Sequence, residues 1–423
     1  MIWGLGAVIF LLGLMLSIAL HEVGHFVPAR RFGVKVTQWM VGFGPTAWSR
    51  RRGETEFGIK WIPVGGYIRM IGMLPPSPGT PPGKVRQWST GPLRSMIDGA
   101  REAAWEEVGP GDQGRLFYQR PWWQRVIIMG GGPGMNVVLG FVFLSVALTG
   151  IGITTAQPVV QQVQACVLPA AAGRSACDPT VQVTPAAVAG LRPGDRIVSY
   201  DGAPIRSWTE LTDRIRTDGG HRIMLTVERD GATLSVPLTL ASVERDAQSV
   251  GFLGVQPTFA RQRMSPAEVA GLAGTVSREV ATSVFRLPER MAGIWRAAFS
   301  DAPRSVESPI GVVGATRLGG DVAAADLPVT DRVVIMLQLL ASFNIAMGIF
   351  NLVPLLPLDG GHIAAALLEG LKRGVGRLFG RRLDRPVDVA RTIPLTSAAA
   401  LVMVAMAALL AYADLVNPIH FGS

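Results

Sequence analysis

Residues His21, Glu22 and His25 stand in the order H-E-x-x-H. On a helix the two histidines lie one turn apart on the same face, so both imidazoles reach a single divalent ion, most often zinc. Glu22 sits beside that pair rather than within it. A carboxylate held there takes the proton from a metal-activated water, whose pKa falls to about 7 on zinc, and so prepares a hydroxide for attack on a carbonyl carbon. Five-residue motifs also arise by chance. Here, however, three ionisable groups adjoin a long apolar run, where they are costly unless something pairs them. A catalytic zinc keeps three protein ligands and one open position, so a third donor must come from elsewhere in the chain.

The elements that must position these groups are set by composition. The chain has 423 residues, 48% hydrophobic and only 17% charged, and its apolar residues come in blocks. This is the pattern of a polytopic membrane protein with a water-soluble insert. The net charge of +9 does not point to nucleic acid, because Arg and Lys gather beside the apolar blocks, where they set topology. The first block has no basic stretch before it and no small-residue cleavage site after it, so it reads as a retained helix and not a signal peptide. Two cysteines, Cys166 and Cys177, are too few for a zinc knuckle; a short disulfide loop and two free thiols both remain open.

Ile2 to about Ala29 forms the first span, with Arg30 and Arg31 directly after it, which puts the N-terminus outside and the motif near the cytoplasmic face. Val34 to Met73 alternates with period two and is broken by Gly42, Gly44-Pro45, Gly53 and Pro63-Val64-Gly65-Gly66. It reads as a small sheet or hairpin, either a solvated connector or an edge strand that holds a peptide by β-addition. Leu74 to Gly83 is an extended Pro-Gly linker, and Ala100 to Val108 a short surface helix. The second span runs from about Val126 to Ile153. Its glycines predict close backbone packing, and Asn136 serves either a neighbouring backbone or the metal site itself.

Between the spans, Thr184 to Gly202 predicts a short helix, a Pro-Gly-Asp turn and a strand. Ser207 to Arg216 is a capped amphipathic helix, and two alternating strands flank Asp230-Gly231, a strong hairpin signal. This order, with the run Ala-Gly-Leu-Arg-Pro-Gly-Asp-Arg-Ile (189–197), resembles a bacterial PDZ domain. Ser265-Pro266-Ala267-Glu268 is a capping box opening one or two amphipathic helices to about Ser300, lying on the outer membrane surface or bracing the insert.

The third span starts near Arg332 and breaks at Asn351 to His362, where two prolines and two glycines prevent a regular helix. Irregular backbone at membrane depth is tolerated only where protein or a cavity surrounds it. Asp359, the acid in that break, is the expected third ligand; entry from outside brings it to the level of His21 and His25. His362 is better suited to support the site or start a helix than to bind metal. Lys372, Arg373, Arg377, Arg381, Arg382, Arg385 and Arg391 mark the inside, and the last span covers about Pro394 to Tyr412. His221 and His420 read as ordinary strand and tail residues.

With His21-Glu22-Val23-Gly24-His25 in one span, Leu358-Asp359-Gly360 in another and a PDZ-like insert between, the chain resembles the site-2 protease family of intramembrane zinc metalloproteases, in its bacterial PDZ-containing branch. Pro63 to Met70 and Gly132-Pro133-Gly134-Met135-Asn136 also look like elements of that family. The resemblance implies that His21, His25 and Asp359 bind Zn2+, that Glu22 is the catalytic base, and that Asn351 places the substrate or the developing oxyanion. It implies as substrate a single-span membrane protein, either an anti-sigma factor already cut outside the cytoplasm or a remnant signal peptide. A peptide or substrate ectodomain is then expected at the PDZ domain, with the bilayer as partner and no nucleic acid. Pro357 lies one position later than in many relatives, and one PDZ domain replaces the two of some.

The expected fold is a polytopic α-helical membrane protein of a bacterial plasma membrane. It has four transmembrane helices, a membrane-associated β-hairpin or sheet and one extracytoplasmic α+β PDZ domain, with both termini outside. The expected partition is a first transmembrane helix (1–33), a β region (34–73), a cytoplasmic linker (74–120), a second transmembrane helix (121–155) and the PDZ domain (156–245). Extracytoplasmic amphipathic helices (246–331), a third transmembrane segment (332–365), a basic cytoplasmic loop (366–392) and a fourth transmembrane helix with the tail (393–423) complete it. The alternative is a non-catalytic PDZ scaffold with a structural metal. A metal transporter fits poorly, because the second and fourth spans offer almost no acidic or histidine residues.

Overall fold

The structure, a computed structural model, describes all residues except 77–90, 168–181, 246–247, 301–303, 305–307, 381–385 and 420–423. Most of the Pro-Gly linker, Cys177, Arg381, Arg382, Arg385 and His420 therefore lie outside the described residues. The chain begins with α1 (Ile2–Arg31), β1 (Val36–Arg52), β2 (Thr55–Met70), α2 (Pro92–Trp105) and α3 (Trp122–Leu144). Next come β3 (Ile153–Val163), α4 (Pro185–Val188), β4 (Arg196–Tyr200), β5 (Ala203–Pro204), α5 (Trp208–Thr217), β6 (Arg222–Arg229), β7 (Ala232–Thr239), β8 (Ala241–Arg245), β9 (Gln248–Phe252) and β10 (Val255–Gln262). The remaining elements are α6 (Pro266–Phe285), α7 (Leu287–Phe299), α8 (Val312–Ala324), α9 (Val329–Asn351), α10 (Asp359–Leu378) and α11 (Ile393–Val416).

Two compact units result: Met1–Ile151 together with Met264–Ser423, and Gly152–Arg263. In the first, four helical stretches among the described residues are long and apolar enough to cross a membrane: Ile2–Arg31, Trp122–Ile151, Val329–Asn351 and Val389–Val416. The last shows most clearly why lipid is required. Leu401 and Val404 on α11 are 69% and 66% exposed, and a helix apolar on every side is stable only when those sides face hydrocarbon. Helix α3 packs against α1, α9 and α10, so it stands at the centre of the bundle. Helix α8, which the hydrophobic pattern did not announce, lies along the first half of α1, where Gly319 faces Phe10 and Asp321 accepts a hydrogen bond from Trp3 (2.8 Å).

The β region is more elaborate than a hairpin. Residues 38 to 41 of β1 pair on one side with Glu56–Ile59 and on the other with Gly66–Arg69, so β2 folds back around the start of β1. Gly42 and Gly65 take positive φ angles at the bends. The expected surface helix lies earlier than read, at Pro92–Trp105, because Pro92 supplies its first turn. The segment expected as a basic loop from residue 366 is helical to Leu378: α10 starts at Asp359 and does not stop at the assumed boundary. Arg373 sits one turn after Glu369 and pairs with it (2.7 Å), which favours continuing the helix through the charged stretch.

The second unit is built on an antiparallel sheet in the order β10-β3-β4-β6-β7, with β5 beside β4 and a separate β8-β9 hairpin. It runs past residue 245 to Arg263 because β10 returns to pair along β3 from Val255 to Gln262. Its core gathers Val160, Leu191, Ile197, Leu211, Leu225 and Val227. Ser207 caps α5 by accepting from the Glu210 N–H (3.1 Å), and Asp230-Gly231 turns between β6 and β7 with both residues at positive φ. Asp195, fully buried, accepts from the Arg192 N–H (2.8 Å) and from Arg229 (2.6 and 2.7 Å). Burial alone would raise its pKa, but Arg229 and that N–H hold it below the ordinary carboxylate value. Of the two readings for the cysteines, Cys166 takes the disulfide-bonded one.

Candidate metal centre

The last third of α1 carries His21, Glu22 and His25, all buried. The helix ends soon after: Pro28 is tolerated in its last turns, Arg30 and Arg31 suit its negative C-terminal end, and Gly33 at φ +75° lets the chain leave. Pro28 has no N–H to return to the Gly24 carbonyl, and that carbonyl faces Gly131 of α3 instead. A side chain on either glycine would be driven into the other backbone. The two helices therefore meet at contact distance beside the histidines.

Helix α3 receives the histidines with one stripe of residues four apart. The Ile128 carbonyl accepts a hydrogen bond from His25 Nδ1 (2.8 Å), so that nitrogen carries the proton and Nε2 keeps its lone pair. At Gly132 a Cβ would collide with Nε2 of both His25 and His21. Asn136, fully buried, places its amide 3.0 Å from His21 Nδ1. Numbers rise along one helix as they fall along the other, so α1 and α3 run antiparallel.

Asp359 comes from the opposite end of the sequence. Leu358 precedes the first turn of α10, and Asp359 opens it, where the positive end of the helix favours a carboxylate. A buried ion pair between Arg125 of α3 and Glu369 of α10 fastens this helix to the one that holds the histidines. Arg373 closes on the other Glu369 oxygen (2.7 Å), and Gly370 lets Trp122 lie flat against α10.

The three donors converge. His21 Nε2 lies 3.4 Å and His25 Nε2 3.2 Å from Asp359 Oδ2, and the two Nε2 atoms are 3.2 Å apart. Four ligands at about 2.0 Å from a tetrahedral zinc ion stand roughly 3.3 Å from one another, so this triangle matches one face of such a site and leaves the fourth corner free. Two imidazoles and a carboxylate are also a donor set that zinc accepts. Glu22 is outside the triangle, with its side chain beside Gly66 of β2, and close enough to His25 and Asp359 to interact with both electrostatically.

Among the other residues singled out, Asn351 is half-buried at the end of α9 and is not one of the converging donors. His362 lies in the first turn of α10 with its ring edge-on to Phe117, also outside the triangle. His221 opens the approach to β6. Sequence reasoning missed Ile128, which acts through its carbonyl and has no signal in its side chain. It also missed Ser17 and Asn344, a buried pair joining α1 to α9 one turn from His21 (2.9 Å), and the Arg125–Glu369 ion pair. Only the α3–α10 contact reveals the partner of Arg125.

A family model described as peptidase family M50 matches residues 9–384. The chain is 32% identical to the zinc metalloprotease Rip1 of Mycobacterium tuberculosis, with 98% of each chain covered. It is 27% identical to the metalloprotease MmpA of Caulobacter vibrioides (87% of this chain, 86% of that one) and 24% identical to the zinc metalloprotease RasP of Bacillus licheniformis (83% and 87%). The spanning helices, the zinc-compatible triangle and these likenesses agree: the chain belongs to peptidase family M50, the site-2 proteases, and is a zinc metalloprotease of the membrane.

Proposed function

We propose that His21, His25 and Asp359 hold the zinc ion, that Glu22 is the general base, and that the enzyme cuts single-span membrane proteins within or at the edge of the bilayer. The observation that carries this reading is the 3.2–3.4 Å triangle of donors with a buried glutamate beside it. Zinc bound there supplies Lewis acidity to the scissile carbonyl and to the attacking water. Glu22 accepts that water's proton and passes it to the leaving amine nitrogen, a transfer that needs no second acid. Asn351, at the end of α9, steadies the substrate or the oxygen on which charge develops. A purely structural metal has no use for a base at Glu22, which sets the scaffold alternative aside.

A helical substrate must open before its amide can be attacked, because in a helix that amide is hydrogen-bonded and shielded. Support for an extended binding mode comes from β2: among the described residues, Gly66–Met70 pairs only on the β1 side, and Gly66 lies against the Glu22 side chain. Its free edge suits β-addition of an unwound segment beside the base. The Gly152–Arg263 unit is read as a PDZ domain outside the cytoplasm. Its capped α5, its antiparallel sheet and the Asp195-centred turn support that reading. It filters substrates by size or docks their ectodomains. Four spans with both termini outside and the metal near the cytoplasmic face follow from the Arg and Lys distribution. The substrate is then an anti-sigma factor trimmed by an earlier extracytoplasmic cut, in regulated intramembrane proteolysis, or a remnant signal peptide.

The test is Glu22→Gln. The variant is expected to keep its zinc while cleavage of a co-expressed single-span protein disappears, and membrane proteomics against wild type should show a trimmed stub accumulating. Unchanged cleavage removes Glu22 from the mechanism.

A further inference from the structure

The stripe of α3 under the histidines treats them unequally. His25 gives its Nδ1 proton to a backbone carbonyl, an acceptor that cannot turn away. His21 has the Asn136 amide, which presents an acceptor at one end and a donor at the other. With Nδ2 toward His21 Nδ1 (3.0 Å), Oδ1 of this fully buried residue meets no donor among the described residues. That orientation also requires a bare Nδ1, which puts the ring proton on Nε2 and leaves no lone pair toward Asp359 and His25. Turning the amide end for end leaves its shape nearly unchanged. It brings Oδ1 to Nδ1–H and returns the Nε2 lone pair to the triangle.

We propose that Asn136 is a positioning residue for the metal: its side-chain oxygen accepts the Nδ1 proton of His21 and so holds that ring in the one tautomer that binds zinc through Nε2. The seat is built for this. Gly348 of α9 faces the Asn136 side chain at close quarters: an added Cβ would come within 3.2 Å of the Asn136 Cβ and 3.0 Å of the Pro133 carbonyl oxygen, so a neighbour would have to give by a few tenths of an ångström. Asn136 thus approaches His21 from α3 while α9 closes behind it. Outer groups of this kind, which orient a ligating imidazole, change metal affinity by about 10–100-fold when removed. The inference rests on His21 being a zinc ligand.

The test uses the purified full-length chain in detergent, with zinc alone titrated against a chromophoric chelator. Asn136→Leu is expected to weaken zinc 10–100-fold, and Asn136→Asp, which keeps an oxygen acceptor, to bind zinc as tightly as wild type. In nitrogen-15 spectra of the zinc-loaded protein, His21 should show a protonated Nδ1. Zinc affinity within twofold of wild type in Asn136→Leu overturns the proposal. Should that variant fail to fold, a tenfold loss in Asn136→Asp, or an unprotonated His21 Nδ1 in wild type, overturns it equally. His21→Ala and Asp359→Asn serve as controls. If they keep wild-type affinity, the ligand assignment falls and this inference with it; if they lose zinc while Asn136→Leu keeps it, only the inference falls.

Discussion

The histidine side and the carboxylate side of the centre are held by different physics. On the histidine side, α1 and α3 touch through Gly24 and Gly131, and neutral hydrogen bonds between the rings and the Ile128 carbonyl and Asn136 amide aim them. On the carboxylate side, α10 is tied to α3 by buried charge, Arg125 to Glu369 to Arg373. A contact made by close backbone approach tolerates no added volume, because packed interiors have nowhere to move. A contact made by buried ions tolerates no lost charge, because the partner left behind is uncompensated. The two kinds of damage should therefore look different in experiment.

The largest effect is expected from Gly132→Ala. Its new methyl group strikes Nε2 of both histidines, so zinc content and cleavage should each fall at least a hundredfold while far-ultraviolet dichroism stays helical; a variant that retains zinc would show that the backbone approach is looser than described. Next comes Glu369→Gln, which leaves Arg125 buried opposite a neutral group. It should lower stability by about 3–5 kcal/mol, read as the loss in thermal or denaturant midpoint, with zinc affinity affected far less than in Gly132→Ala. Restoring most of that stability with the paired change Arg125→Met and Glu369→Leu would confirm that the charge, and not the shape, was at fault. Equal losses of zinc in the two single variants would erase the distinction drawn between the two sides.

A smaller effect is expected in the Gly152–Arg263 unit, where an ion pair is buried on one side only. Asp195 has a folded-state pKa below its unfolded value, so its contribution is present at neutral pH and is lost as the pH falls from about 4 through the folded value. Asp195→Asn should cost about 2 kcal/mol at pH 7 and flatten the acid side of the stability profile, measured by thermal melts across that range. The smallest change is expected at Glu54 and Arg115. Their two hydrogen bonds (2.6 Å each) pull Glu54 down to about 2, yet the pair stands in solvent. Arg115→Gln should leave the melting temperature unchanged within error; a clear drop would mean that exposed pairs matter here as much as buried ones.

Much of this was legible without coordinates because it is local or periodic. Apolar runs of spanning length, basic residues at their ends and two histidines four apart need only the helix repeat to be read. The Asp230-Gly231 turn and the Ser207 cap were equally plain. Less legible were features that depend on which distant residues meet. The doubled register of β1 and β2, the return of β10 to β3, and α8 against α1 carry no periodic signature of their own. Helix α10 was cut short because a run of basic residues resembles a loop when Glu369 is not known to sit among three of its partners.

The amino-acid order alone determined that two imidazoles and a glutamate would stand on an apolar helix, and that an aspartate would stand at a break in another. Composition and the helix repeat suffice for that. Only the folded chain decided that the nitrogen and oxygen atoms come within 3.4 Å of one another, that a glycine lies beneath both rings, and that Ile128 and Asn136 face them. Those outcomes depend on the depth at which α1, α3 and α10 settle against each other. That depth is set by the packing of many side chains at once, and no single stretch of sequence records it.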